Sequence, residues 1–131
     1  MTTNKEYAAR RKDLMSQMHK NSIAIISSAP EKIRSRDTHY PYKQNVNLSY
    51  LCGFPEPESV LVLIPGRENG ETVLFCRDKD PLRETWDGYR EGPDGAVKNF
   101  GADDAFPISD IDDILPNLIE GKDRLYYAIG K

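Results

Sequence analysis

Short apolar runs recur along this chain, and the polar stretches between them carry the punctuation that predicts its elements. Over residues 4–20, Tyr7, Arg11, Leu14, Met15 and Met18 share one side of a 3.6-residue period, with Arg10, Lys12, Asp13 and Gln17 mostly on the other. That pattern predicts an amphipathic helix. Asn21 is a stop, because asparagine tolerates the left-handed conformation at a helix end, and residues 23–27 read as a wholly buried strand. Residues 29–46 are too long and too polar for an ordinary connection, and such segments inside compact domains usually carry function. Residues 48–52 and 59–64 read as strands separated by the turn-forming Gly53-Phe54-Pro55-Glu56-Pro57. Residues 65–70 form a hairpin loop into a strand at 72–76.

The second half reads as helices and one more strand. Asp80-Pro81 sets a capping carboxylate before a proline at the first helical position, so a short helix runs through Glu84, Thr85 and Trp86 to Gly88. Another covers 94–99 and is closed by Gly101. Ser109 is a candidate N-cap, followed by Asp110, Asp112 and Asp113 where the helix dipole favours negative charge. Ile111, Ile114, Leu115, Leu118 and Ile119 complete one apolar face; Pro116 inside it requires a kink or a break. Residues 124–129 are a final strand. Alternating strands and helices with one hairpin predict an α/β domain, a mixed sheet of about five to six strands covered by helices.

Composition narrows the setting. At 131 residues the chain is one domain long. Eighteen Lys plus Arg against 21 Asp plus Glu give a net charge of -3 without a basic stripe, which argues against a nucleic-acid partner. No run has signal-peptide or bilayer-spanning length, so the expectation is a soluble, cytoplasmic protein without membrane association. Cys52 and Cys76 sit in apolar surroundings as buried free thiols; a disulfide between adjacent strands would need an oxidising compartment.

Chemistry is sparse. His19 and His39 form no helical pair, no cysteines cluster, and the Asp103-Asp104 and Asp110-Asp113 carboxylates are explained by helix starts rather than by a cation. His19 serves most simply as a solvated or dipole partner at a helix end. Nucleophile-elbow, phosphate-loop and dinucleotide-binding motifs are all missing. What stands out is Trp86, the only tryptophan, and the aromatic-basic stretch 34–42. A lone tryptophan is either a packing residue or, beside Gly88 and charged neighbours, an interface anchor.

Three stretches go further: Arg10-Arg11 with Leu14 and Met18; Arg34-Ser35-Arg36-Asp37-Thr38-His39-Tyr40-Pro41-Tyr42-Lys43-Gln44-Asn45; and residues 50–63, with Gly53-Phe54-Pro55-Glu56-Pro57-Glu58 at their centre. In this order and spacing the chain resembles the amino-terminal domain of bacterial aminopeptidase P, the Xaa-Pro aminopeptidases. The resemblance implies a creatinase/prolidase amino-terminal (ribonuclease H-like) architecture over residues 1–131. It also implies a following pita-bread metallopeptidase domain that holds two metal ions, usually manganese. None of the metal-ligand positions lies in this chain, so it reads as a piece cut from a longer polypeptide and inert by itself. For the whole protein the resemblance implies removal of the residue preceding proline by metal-assisted hydrolysis, in a dimer or tetramer. It implies that Trp86 reaches toward a neighbouring subunit's substrate cleft and that Asp37 faces that cleft. Arg36 and Tyr42 are candidates for the same rim, with an internal ion pair or a loop-holding hydrogen bond as the alternative. Gly53, Pro55 and Pro57 are assigned to turn geometry. Two other readings stay open: a free-standing module for proline-containing peptides, and the matching domain of a prolidase or creatinase.

Overall fold

The computed structural model describes residues 3–29 and 44–128. Helix α1, Asn4–Ser16, starts where the Thr3 hydroxyl accepts the Glu6 N–H at 3.2 Å. It leads through Asn21, at φ 55, into strand β1, Ser22–Ser27. Helix α2, Val46–Leu51, is followed by strands β2, Val60–Leu63, and β3, Thr72–Cys76. Helices α3, Pro81–Asp87, and α4, Gly92–Phe100, precede strand β4, Asp104–Pro107. A single 3-10 turn at Ile108–Asp110 feeds helix α5, Ile111–Ile119, and strand β5, Arg124–Ala128, follows.

Among the described residues the sheet has five strands in the order β4-β3-β2-β1-β5. β2 pairs antiparallel with both β1 and β3, whereas β4 is parallel to β3 and β5 is parallel to β1. β2 is therefore the one strand running against the others, and the sheet is mixed, as the alternation of elements predicts.

Strand periodicity divides the core into two. Ala24, Ile26, Leu61, Leu63, Leu74 and Cys76 face α1, α2 and α4, where Leu48, Leu51, Phe54 and Ala96 meet them. Ile23, Ile25, Val62, Ile64, Val73 and Phe75 face the other way, toward the apolar side of α5. Burial on both faces explains why these strands read as continuous apolar runs rather than as an alternation. Phe54 and Phe100 meet edge to face with ring centroids 5.0 Å apart, a geometry worth about 0.5–1.5 kcal/mol beyond the area it buries.

A buried charge lies against this core. Arg11, on the apolar side of α1, is 3% exposed. Its guanidinium donates from Nε to Thr72 Oγ1 at 3.1 Å, from Nη1 to the Leu51 carbonyl at 2.9 Å and from Nη2 to the Gly101 carbonyl at 3.5 Å. It thereby joins α1 to the ends of α2 and α4 and to the start of β3. Burial holds its pKa below the usual arginine value, partly offset by the nearby Cys52 and Asp103.

Three expectations are corrected. Residues 48–51 are helical instead of extended, with Cys52 at the helix end: Asn45 Oδ1 accepts the N–H groups of Asn47 and Leu48 at 2.8 and 3.1 Å, which starts a helix. Leu48, Leu51 and Cys52 then share one buried face, a spacing that a six-residue run displays too briefly to separate from a strand. Asp103-Asp104 begins a strand rather than a helix, with Asp103 Oδ2 accepting the Thr72 N–H at 3.1 Å. Ser109 lies within the 3-10 turn and does not cap α5, whose preceding residue Asp110 makes no side-chain cap bond. Pro116 resides within α5, which continues as one assigned helix to Ile119.

Candidate functional site

The sole tryptophan is an outward-facing residue. α3 is fixed at its start by Asp80, whose Oδ1 accepts from Leu82 and Arg83 at 3.2 and 3.3 Å, and by Pro81 at the first helical position. Gly88, at φ 98, ends it. Leu82 and Trp86, one helical turn apart, both project from the domain, and Trp86 is 86% exposed. Tyr89 is exposed beside them with its ring centroid 3.9 Å from Lys79 Nζ.

The underside of α3 is polar and tied down. Glu84 Oε1 receives Lys79 Nζ and the Arg90 N–H, each at 2.9 Å, and Lys79 also donates to the Arg90 carbonyl at 2.7 Å. The Lys79 hydrogen bond is the main reason the Glu84 carboxyl is held below the ordinary glutamate value, and the same bond raises the Lys79 pKa. Behind this pair, Glu56 receives Arg77 Nη2 on Oε1 at 3.3 Å and the Glu91 N–H on Oε2 at 2.7 Å. Trp86 is thus an exposed ring on a short helix that is capped by Asp80 and tied through Glu84 to Lys79 and Arg90.

Arg36, Asp37 and Tyr42 lie outside the described residues, and His39 with them. The flanks of their segment are described. Gln44 Oε1 accepts the N–H groups of Ala29 and Asn45 at 3.1 and 2.9 Å, and Gln44 Nε2 donates to the carbonyls of Phe54 and Glu56 at 3.0 and 2.8 Å. Glu56 is therefore the meeting point: its carbonyl holds the flank of that segment and its carboxylate holds the root of α4 just beyond Trp86. The sequence reading assigns this turn to glycine and proline geometry and passes over Glu56. A carboxylate between two prolines in an apolar turn, with Arg77 at the end of a buried strand, was the available clue.

The turn geometry itself is as expected at Gly53, which has φ +72 and donates to the Ser49 carbonyl at 3.0 Å, closing α2. Nearby, Arg10 stacks over the Tyr50 ring at 4.3 Å and donates from Nη1 to the Tyr50 carbonyl at 3.0 Å. His19 is exposed beyond the end of α1. Cys52 and Cys76 are buried free thiols. Among the described residues no three His, Cys, Asp or Glu side chains converge as a metal set would, and no helix is long and apolar enough to cross a membrane. What this arrangement presents is a fixed aromatic surface.

The comparisons agree with one another. The Xaa-Pro aminopeptidase of Escherichia coli (strain K12) is 42% identical over 130 residues, covering 98% of this chain and 30% of the relative. The solved Pseudomonas aeruginosa aminopeptidase PepP superposes with a TM-score of 0.93 at 63% identity over 97% of this chain and 29% of that one. Zn-substituted E. coli aminopeptidase P in complex with product superposes at 0.90 with 42% identity, covering 97% and 29% respectively. This chain thus spans under a third of the length of the relatives it matches. Residues 7–126 match the family described as the aminopeptidase P N-terminal domain, and the chain belongs to that family.

Proposed function

We propose that this chain is the amino-terminal assembly and substrate-access domain of a metal-dependent Xaa-Pro aminopeptidase, and that residues 1–131 precede a catalytic domain in the longer protein. Hydrolysis before proline, with two manganese ions, is assigned to that following domain; this chain's residues contribute binding and the exclusion of water. The observation that carries the reading is the exposed Trp86 ring on a helix capped by Asp80 and tied down through Glu84. Large exposed aromatic residues on a rigid base are characteristic of interface anchors, and an aromatic wall from a neighbouring subunit can pack on a proline ring and limit peptide length. Asp37, Arg36 and Tyr42 are proposed for the same rim, because Gln44 and Glu56 connect the flank of their segment to the root of α4. The longer protein is proposed to act as a dimer or tetramer in the cytoplasm, on Xaa-Pro peptides.

The test uses the longer protein and its Trp86→Ala variant. Cleavage of an Xaa-Pro peptide at reduced kcat/KM, with an unchanged melting temperature, is the expected result. Unchanged kinetics in a fully oligomeric variant would remove Trp86 from the substrate cleft. The exposed Trp86, Leu82 and Tyr89 also favour a second reading, a proline-peptide module that works without any partner. That reading requires saturable quenching of Trp86 fluorescence by a proline-containing peptide in the 131-residue chain alone.

A further inference from the structure

The hairpin between β2 and β3 ends in a turn with an exposed tip. Residues 67–70 close on one backbone bond, Gly70 N–H to the Arg67 carbonyl at 3.2 Å, and Glu68 and Asn69 face solvent. Asn69 is the one asparagine of the sequence that precedes glycine. Its side-chain amide has no hydrogen-bond partner among the described residues. Those of Asn4, Asn21, Asn99 and Asn117 donate to Asn99, Gly121, Glu91 and Asp113.

The fold demands the glycine beside it. Gly70 has φ +122, and a Cβ built there would run into Cβ of Asp103. Asp103 cannot easily give way: its Oδ2 accepts the Thr72 N–H at 3.1 Å and its own N–H donates to the Thr72 carbonyl at 2.9 Å. Arg67 Nη1 donates to the Gly70 carbonyl at 3.0 Å and Nη2 to Asp104 Oδ2 at 3.4 Å. Packing against β4 therefore selects glycine at 70 and leaves the free amide of Asn69 next to a backbone nitrogen that no side chain shields.

We infer that Asn69 is a site of spontaneous deamidation, at which the protein acquires a negative charge and, in part, a rearranged backbone. The Gly70 nitrogen gives its proton to water and bonds to Asn69 Cγ. The bond from Cγ to the side-chain nitrogen breaks, and that nitrogen leaves as ammonia. Water then opens the resulting cyclic imide at either carbonyl, which restores the Gly70 N–H and leaves an aspartyl or an isoaspartyl linkage at position 69. No other reactant is required. Asparagine is a thermolabile residue type and exposed turns open readily, so the step needs the loss of one surface hydrogen bond. The isoaspartyl product lengthens the backbone by one methylene where Gly70 is packed against Asp103. Either product adds a carboxylate two residues from Arg67, whose guanidinium already serves Asp104. The inference makes no use of peptidase activity.

Incubation of the longer protein in warm, mildly alkaline buffer, followed by tryptic peptide mapping, tests it. The expected result is a gain of a single mass unit in peptide 68–77, which divides into two products of equal mass on chromatography. That conversion should run at least about tenfold faster than any at Asn21, Asn99 or Asn117, whose amides are held. A smaller difference would overturn the inference, because it would show that the turn keeps the Gly70 nitrogen from reaching Cγ. Asn69→Gln gives a second readout. The acidic form that accumulates on isoelectric focusing should be missing from this variant, and its persistence would assign the new charge to another residue. Because activity is not the readout, an inactive but folded preparation still answers the question.

Discussion

The N–H of Glu91 donates to Glu56 Oε2 at 2.7 Å, joining the start of α4 to a turn 35 residues earlier in the chain. Glu56 Oε1 meets Arg77 Nη2 at 3.3 Å, and both side chains are largely buried. The proline-rich turn, the end of β3 and the root of α4 therefore share one carboxylate.

Glu56→Ala leaves the Arg77 charge without its partner and the Glu91 N–H without its acceptor. Removing one member of a buried, hydrogen-bonded ion pair costs about 3–5 kcal/mol. Glu56→Gln retains an acceptor for Glu91 and should lose less, about 1–3 kcal/mol. Urea unfolding of both variants checks the order, and equal losses would show that the charge contributes nothing beyond the hydrogen bond.

Cys76 makes a prediction in pH. Burial, reinforced by Glu56 and Asp78, pushes its thiol from 9.0 up to about 12. The folded state thus keeps the proton that the unfolded chain gives up. Stability from this group is complete below pH 9, falls as pH rises above that value, and stops falling once pH passes about 12. Burial also raises the Cys52 thiol, with Arg11 opposing. Neither thiol should react with a soluble disulfide reagent at pH 8 until the protein is unfolded, so rapid labelling of the native chain would contradict the burial of both.

Arg11 is equally specific. Arg11→Met keeps the length of the side chain but strips donors from the Leu51 carbonyl, Thr72 Oγ1 and the Gly101 carbonyl. The expected loss is about 2–3 kcal/mol, because unsatisfied buried acceptors outweigh the relief from burying a charge. Arg11→Lys should not restore it, since an ammonium lacks the planar fork that reaches acceptors on three elements. A lysine variant as stable as the parent in thermal unfolding would refute the role of the fork.

How far the sequence discloses this molecule depends on whether the relevant partner is near in the chain. Period and punctuation reveal β1, β2, β3, α3 and α4 because each is dictated by its own residues. α2 escapes notice because a six-residue apolar run fits both periods, and only the Asn45 cap decides it. β4 escapes because it is a short edge strand of half-buried residues with an aspartate and a proline. Arg11 is visible as a charge on an apolar face, but its acceptors lie 40, 61 and 90 residues away, so its burial could not be read locally. The exposure of Trp86 runs against the usual burial of its residue type, and only the polar anchoring of α3 on its inner side explains it.

Gly53 offers the most discriminating substitution. Its φ of +72 disfavours any side chain, and a Cβ built there would stand 2.5 Å from Cζ and Oη of Tyr7. Gly53→Ala therefore carries two separable costs. The left-handed backbone alone accounts for about 1–2 kcal/mol. The second cost comes from displacing the Tyr7 ring, which lies on α1 with Arg10 Cζ 5.4 Å from its centroid. In the Tyr7→Ala background the steric part vanishes while the backbone part persists, so Gly53→Ala should cost distinctly less there than in the parent. Unfolding free energies for the four members of this cycle measure the difference directly. A coupling of zero would mean that Tyr7 swings aside freely and that backbone conformation alone selects glycine at this turn.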